Sequence, residues 1–322
     1  MSATRVSGWR GYFFAVKGDW KFTAEAFRSS DRHFKSQMIC NQCLASQNGP
    51  FAYTDVSPDA GWRFTCAVGI PRTFTPMQNA LGFSWYGIMA DLLHTVWLGI
   101  ARDAIGSFLM DLIEFDQIHY GELGTYDDRL GAAFVRFSAW TRVHGINSTV
   151  DQLDLNVLAV LSPTMDFPCY KGKGHDARVI MSWLADHLQE AGPDFAVQAE
   201  CAWGMAAYMH VLDTAGQWLT PAQAASAIEA GTAYLTNYVT LANKAASMAK
   251  PRYKLKPKLH SFQHQHVENL KTSAFNPRYA SCWGDEDMIG RLATCSRGTH
   301  PNTVGLRVLQ RFVLELNRRW KL

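Results

Sequence analysis

A chain of 322 residues with a formal charge of +3, 48% apolar and 18% charged residues has the make-up of a folded protein and excludes a disordered one. It is long enough for one large core or two modest ones, and its eleven tryptophans call for a packed interior. No stretch reaches the ~18 uninterrupted apolar residues of a membrane helix; the longest candidate, Leu92 to Met110, is broken by His94, Arg102 and Asp103.

The charge is unevenly spread. Residues 250–322 hold 14 Lys/Arg against 5 Asp/Glu, whereas residues 1–249 hold 17 against 23. A basic C-terminal quarter attracts phosphate backbones, although a solvated helical face gives the same count. Seven scattered cysteines do not make a disulfide framework, and with no apolar leader at the N-terminus they predict a reducing compartment, nuclear or cytoplasmic, and no secretion.

Taken in order, residues 11–18 read as a strand, rich in aromatic and β-branched residues and closed by Gly18. Asp19 follows at its C-terminal end, where α/β folds place ligand-binding acids; a turn or helix-capping aspartate is the alternative. A short helix is predicted over residues 20–27. Cys40 and Cys43 have the spacing of half a zinc knuckle. His33 and Cys66 are the nearest candidates for the other half, and a redox pair or two plain buried thiols compete with zinc. Residues 45–83, rich in Gly, Pro, Ser and Asn, predict an irregular connection.

Asp91 is placed to cap a helix that begins Leu92-Leu93-His94 and is apolar on almost every side, hence buried. An acid and a histidine three residues apart at a helix start can converge on one point; a satisfied core histidine is the plainer reading of His94. From 127 to 249 three- and four-residue apolar intervals predict helices near 132–143, 177–191, 196–215 and 221–246, with no strand. The Lys171–Gly174 stretch lacks the glycine spacing of a phosphate loop. His260, His264 and His266 lie in a following helix, and lacking a neighbouring carboxylate they read as structural or DNA-facing. Asp285, Glu286 and Asp287 precede an apolar helical start, where they cap that helix or hold a divalent cation. A last helix, 303–320, aligns Val304, Val308, Phe312 and Leu316 on one face.

Three of these stretches resemble the CACTA-like superfamily of DNA transposases, including its fungal Plavaka-type relatives. They are Asp19 with the downstream Cys40–Cys43 pair, Asp91-Leu-Leu-His94-Thr-Val-Trp-Leu-Gly99, and Lys258-Leu-His260 leading to Glu286-Asp-Met-Ile-Gly290. The resemblance implies an α+β, predominantly helical fold: a partial ribonuclease H-like core with a large all-helical insertion. Residues 1–126 would form its N-terminal part with the Cys-x-x-Cys segment, 127–249 the insertion, and 250–322 the basic helices completing the core. It implies two-metal DNA strand cleavage and transfer with Mg²⁺ or Mn²⁺, Asp19 and Glu286 being the second and third catalytic acids and metal ligands. Asp91 and His94 would pack beside them, and Cys40 and Cys43 would be candidate zinc ligands. DNA, a homo-oligomer or a second transposase chain are the implied partners, and no membrane.

The pattern departs in two places. No acid precedes Asp19, and Leu93 and the Gly284-to-Asp287 stretch replace family residues. The first catalytic aspartate is therefore expected to be missing and the chain to be inactive alone. Two alternatives are a domesticated DNA- or protein-binding module using residues 250–322 and a zinc-stabilised helical interaction protein.

Overall fold

The computed structural model describes residues 16–27, 32–66, 75–122 and 124–320. The first fifteen residues, which carry most of the predicted first strand and the reading of the leader, lie outside them. Two compact units are formed, residues 1–280 and 281–322; the boundary expected at 249/250 falls inside the first.

The fold is mostly helical with one small sheet, an α+β arrangement dominated by α. Strands β1 (Val16–Gly18) and β2 (Ile88–Ala90) pair in parallel, with Val16 opposite Ile88 and Gly18 opposite Ala90. A parallel pair needs a crossover. Here the crossover contains helix α1 (Trp20–Ala26), capped by Asp19, and then turns and 3₁₀ segments through the predicted irregular region.

Beyond β2 the chain builds a helical body: α2 (Ala101–Phe115), α3 (Gln117–Tyr120), α4 (Tyr126–Val143), α5 (Gly174–Glu190), α6 (Ala196–Thr214) and α7 (Pro221–Ser247). The predicted segments form because the local signals agree with the apolar period. Thr220 and Gln223 close a reciprocal capping box around Pro221, and Thr125 and Asp128 do the same for α4. α6 and α7 meet backbone to backbone at Gly204, where a Cβ would sit 2.7 Å from the Tyr234 amide nitrogen. Trp97, Phe108, Trp183, Tyr208, Tyr234 and Phe262 are fully buried in one core shared by these helices, each contributing roughly 1.5–3 kcal/mol of burial.

Two expectations are corrected. Residues 127–249 are not helical throughout, because 144–173 runs as turns and extended chain. Asp, Ser and Thr side chains there bond local backbone in place of a helix: Asp166 accepts from the amides of Leu161 and Ser162, and buried Asp176 accepts from Thr149 and Ser148. Secondly, the apolar helix after Asp91 is not continuous. Leu93–Ile100 is wound as a wider π-type turn with Gly99 off helical angles (φ −129°, ψ −110°), and regular α2 starts only at Ala101. Lys258 explains the break. Its ammonium donates to the carbonyls of His94 (2.6 Å) and Leu98 (3.4 Å), and its stem lies 2.7 Å from where a Cβ on residue 99 would stand.

After α7 the chain crosses back through 250–257 to α8 (Lys258–Ser261), continued by a π-type turn, Phe262–Val267. The second unit holds α9 (Trp283–Ser296) and α10 (Val304–Trp320), which pack on each other. Val304, Val308, Phe312 and Leu316 are half-buried, as their alignment predicts. Asp285 and Glu286 sit inside the first turn of α9, not before it.

Candidate functional site

The chain returns to its beginning at α8, and this makes the site. Cys40 and Cys43 lie on a tight loop that Arg32 clamps by donating to the carbonyls of both cysteines, at 3.1 and 3.0 Å. His260 and His264, one helical turn apart, face that loop. Cys43 Sγ lies 3.3 Å from His260 Nε2 and Cys40 Sγ 3.6 Å from His264 Nδ1. All four ligand atoms fall within 4.8 Å of one another and all four residues are buried. Tetrahedral zinc, with Zn–S near 2.3 Å and Zn–N near 2.05 Å, sets an S···N edge of roughly 3.6 Å. The cluster matches it, and can hold a metal ion such as zinc.

The surroundings fit a closed structural site. The amides of Gln42 and Ala45 each donate to a cysteine sulfur at 3.4 Å, as they would to a thiolate. Trp62 packs edge-on against the His260 ring at 4.5 Å, and Ile39, Ala45, Tyr53 and Ala60 complete an apolar shell. Zn²⁺ with two thiolates is neutral, which a dry pocket tolerates.

The electrostatics point the same way. Burial pushes the Cys40 thiol up, but hydrogen bonds from Cys43 and the two histidines, with the charge of His260, outweigh it and hold the group well below its usual value. The bond to Cys40, together with burial, drives Cys43 up. Burial lowers His264, yet its contacts with the Cys40 and Cys66 sulfurs raise it to about 10. Burial lowers His260. A soft dication replaces the protons held on Cys43 and His264.

Of the other halves expected for the cysteine pair, neither is in the cluster. His33 is half-buried elsewhere, accepting from the Lys35 amide. Cys66 reaches only the outer nitrogen of His264, at 3.4 Å. His260 and His264, read as structural or DNA-facing, are the true partners. His266 is buried apart from them, its Nε2 without a hydrogen bond among the described residues. No family model, no curated sequence and no solved structure matches this chain.

Beside the cluster lies a cavity of about 420 Å³, lined among others by Asp19, Asp91, His94, Arg32, Lys256 and Lys258. The strand register puts Asp19 and Asp91 next to each other, each one residue past the last pair, Gly18 and Ala90. Both carboxylates also cap helical turns: Asp19 accepts from the Phe22 amide (2.7 Å), Asp91 from those of Leu93 and His94 (3.0 Å each). Asp91 further pairs with His94 Nδ1, and this histidine is half-buried. Glu286 belongs to the second unit, on the exposed first turn of α9.

The basic C-terminal quarter is partly neutralised. Lys250 and Arg252 pair with Glu114, Lys256 with Asp103, Arg278 with Asp213 and Arg291 with Asp287. The first four contacts stitch the returning chain to the helical body, the last lies within α9, and together they leave a smaller cationic surface than the composition suggests. Among the described residues, no helix is long and apolar enough to cross a membrane.

Proposed function

We propose that this chain is the metal-tied core of a transposase-type DNA-processing protein related to the CACTA-like group, one that engages DNA but does not cut it unaided. The observation that carries the reading is the pair Asp19 and Asp91 at the carboxyl ends of adjacent parallel strands, on a cavity that also presents Arg32, Lys256 and Lys258. Acids so placed suit a divalent ion, Mg²⁺ or Mn²⁺. β1 and β2 would then belong to a ribonuclease H-like sheet, with His94 orienting Asp91. Calorimetric titration of the zinc-loaded protein with Mn²⁺ tests this, with Asp19→Ala and Asp91→Asn alongside. Binding by the parent that both variants lose supports a shared site. Absence of binding at millimolar Mn²⁺ removes the two-metal site from this chain and leaves a scaffold to be tested for DNA binding.

A second reading is favoured by a separate observation, the closed Cys₂His₂ cluster: a zinc-stabilised helical interaction protein with no nucleic-acid role. The two part on salt. Retention on a DNA column that falls steeply with ionic strength belongs to the first; indifference to DNA belongs to the second.

A further inference from the structure

The cavity beside the metal cluster, of about 420 Å³, has the size of a small-molecule site. Two residues of its wall come directly from the metal loop and the metal helix: Asn41 follows Cys40, and Ser261 follows His260. Gln42 fixes that loop against the sheet, its amide donating to the carbonyls of Trp85 (3.1 Å) and Ile88 (3.2 Å). The cluster and a buried glutamine thus hold this wall in place.

The wall is polar and uncommitted. Asn41 is 8% exposed, Thr95 6% and Ser261 5%, and the side chains of all three make no hydrogen bond among the described residues. Their polar atoms are not sealed in: each keeps open surface, and all three residues line the cavity. Buried amides and hydroxyls in that state call for a partner. The cations around the cavity are engaged elsewhere. Lys258 donates to the His94 and Leu98 carbonyls, Lys256 pairs with Asp103, and Arg32 holds the carbonyls of Cys40 and Cys43. With Asp19 and Asp91 on the same cavity, its interior rejects a bare anion and takes a neutral group. Trp20, Phe34 and Ile88 give it apolar walls, which suit a flat ring with one hydrogen-bonding edge and not a sugar, whose hydroxyls point all round.

We propose that this cavity takes an unpaired adenine, its edge on the Asn41 amide and its ring against Trp20 and Phe34, with the Thr95 and Ser261 hydroxyls meeting its remaining nitrogens. An asparagine amide sets a donor beside an acceptor, and adenine is the base whose edge it matches with two hydrogen bonds. Aromatic side chains hold an unpaired base by stacking. The source of the base rests on the DNA-engaging reading above: an adenine at a strand end. The binding itself rests on the cavity alone and needs no divalent ion.

Calorimetry on the full zinc-loaded chain, without other divalent metal, tests it with adenosine and thymidine. Adenosine should bind about tenfold tighter than thymidine. Asn41→Leu should erase that preference, and Phe34→Ala, at an exposed ring, should weaken adenosine about tenfold. Zinc content and thermal unfolding should stay as in the parent for both variants. Because no Mn²⁺ is present, a failed Mn²⁺ titration leaves this site standing and a failed adenosine titration leaves the acid pair standing. A DNA hairpin with a single unpaired 3′ adenine that displaces adenosine better than its blunt counterpart makes the source a strand end; equal effects of the two make it a free nucleoside. No heat with adenosine at about 1 mM, equal binding of thymidine, or binding that either variant leaves as in the parent overturns the assignment.

Discussion

Zinc removal gives the sharpest test of the metal centre. Cys43 and His260 are 217 positions apart in the chain, so a metal held by both closes a loop that takes in most of the first unit. A cross-link of that length removes about 5 kcal/mol of unfolded-state entropy by the chain-entropy relation. For a domain of this size 1 kcal/mol moves the midpoint by roughly 2–4 °C, so stripping the metal should lower the melting temperature by about 10–20 °C. Metal analysis should find one zinc per chain. Calorimetric melting with and without a chelator, on the parent and on Cys43→Ser, gives the shift, and the variant should melt near the stripped parent without responding to chelator. A chain that carries no zinc, or one that loses zinc and melts within about 3 °C of the loaded form, refutes the reasoning.

Gly99→Ala should lose about 2–3 kcal/mol in urea unfolding, because the new Cβ meets the His94 carbonyl and the Lys258 stem, each at 2.7 Å. Apparent zinc affinity should fall about a hundredfold per pH unit on acidification below neutrality, since the metal displaces a proton from Cys43 and another from His264; competition with a chromogenic chelator reads this slope. His187 is buried, accepts from the Tyr120 hydroxyl at 2.9 Å and is lowered by burial. Its contribution is present above the free value near 6.5 and is lost as pH falls through its lower folded value. His187→Gln should therefore flatten the decline of stability between about pH 6.5 and pH 5.

Local signals were legible in the sequence, and long-range ones were not. The helices α4 to α7 follow from capping boxes and apolar spacing, both matters of a few neighbouring residues. Asp19 at a strand end and Asp91 at a helix start were likewise readable from their immediate context. The cysteine pair was visible as half a site, and the histidine pair four apart on one helix face was visible as well. Joining them required knowing that more than two hundred intervening residues bring the chain back to its starting point, and no periodicity records that. The wide turn at Gly99 was hidden for a similar reason: its cause, Lys258, lies far along the chain. The label of an all-helical 127–249 overreached at 144–173, where no apolar period was found and the bonds made by Asp166 and Asp176 hold the backbone in turns.

The distance between the two halves of the metal cluster also sets a timetable for synthesis. At roughly 5–20 residues per second, Cys40 and Cys43 emerge about 10–40 s before His260 and His264 exist to meet them. Over that interval the nascent chain carries two reactive thiols in an open loop, exposed to oxidants and to stray metal. Completion of the fold thus waits on a late event, and agents that cap thiols during translation should harm this protein far more than the same agents applied to the folded molecule, in which both cysteines are buried.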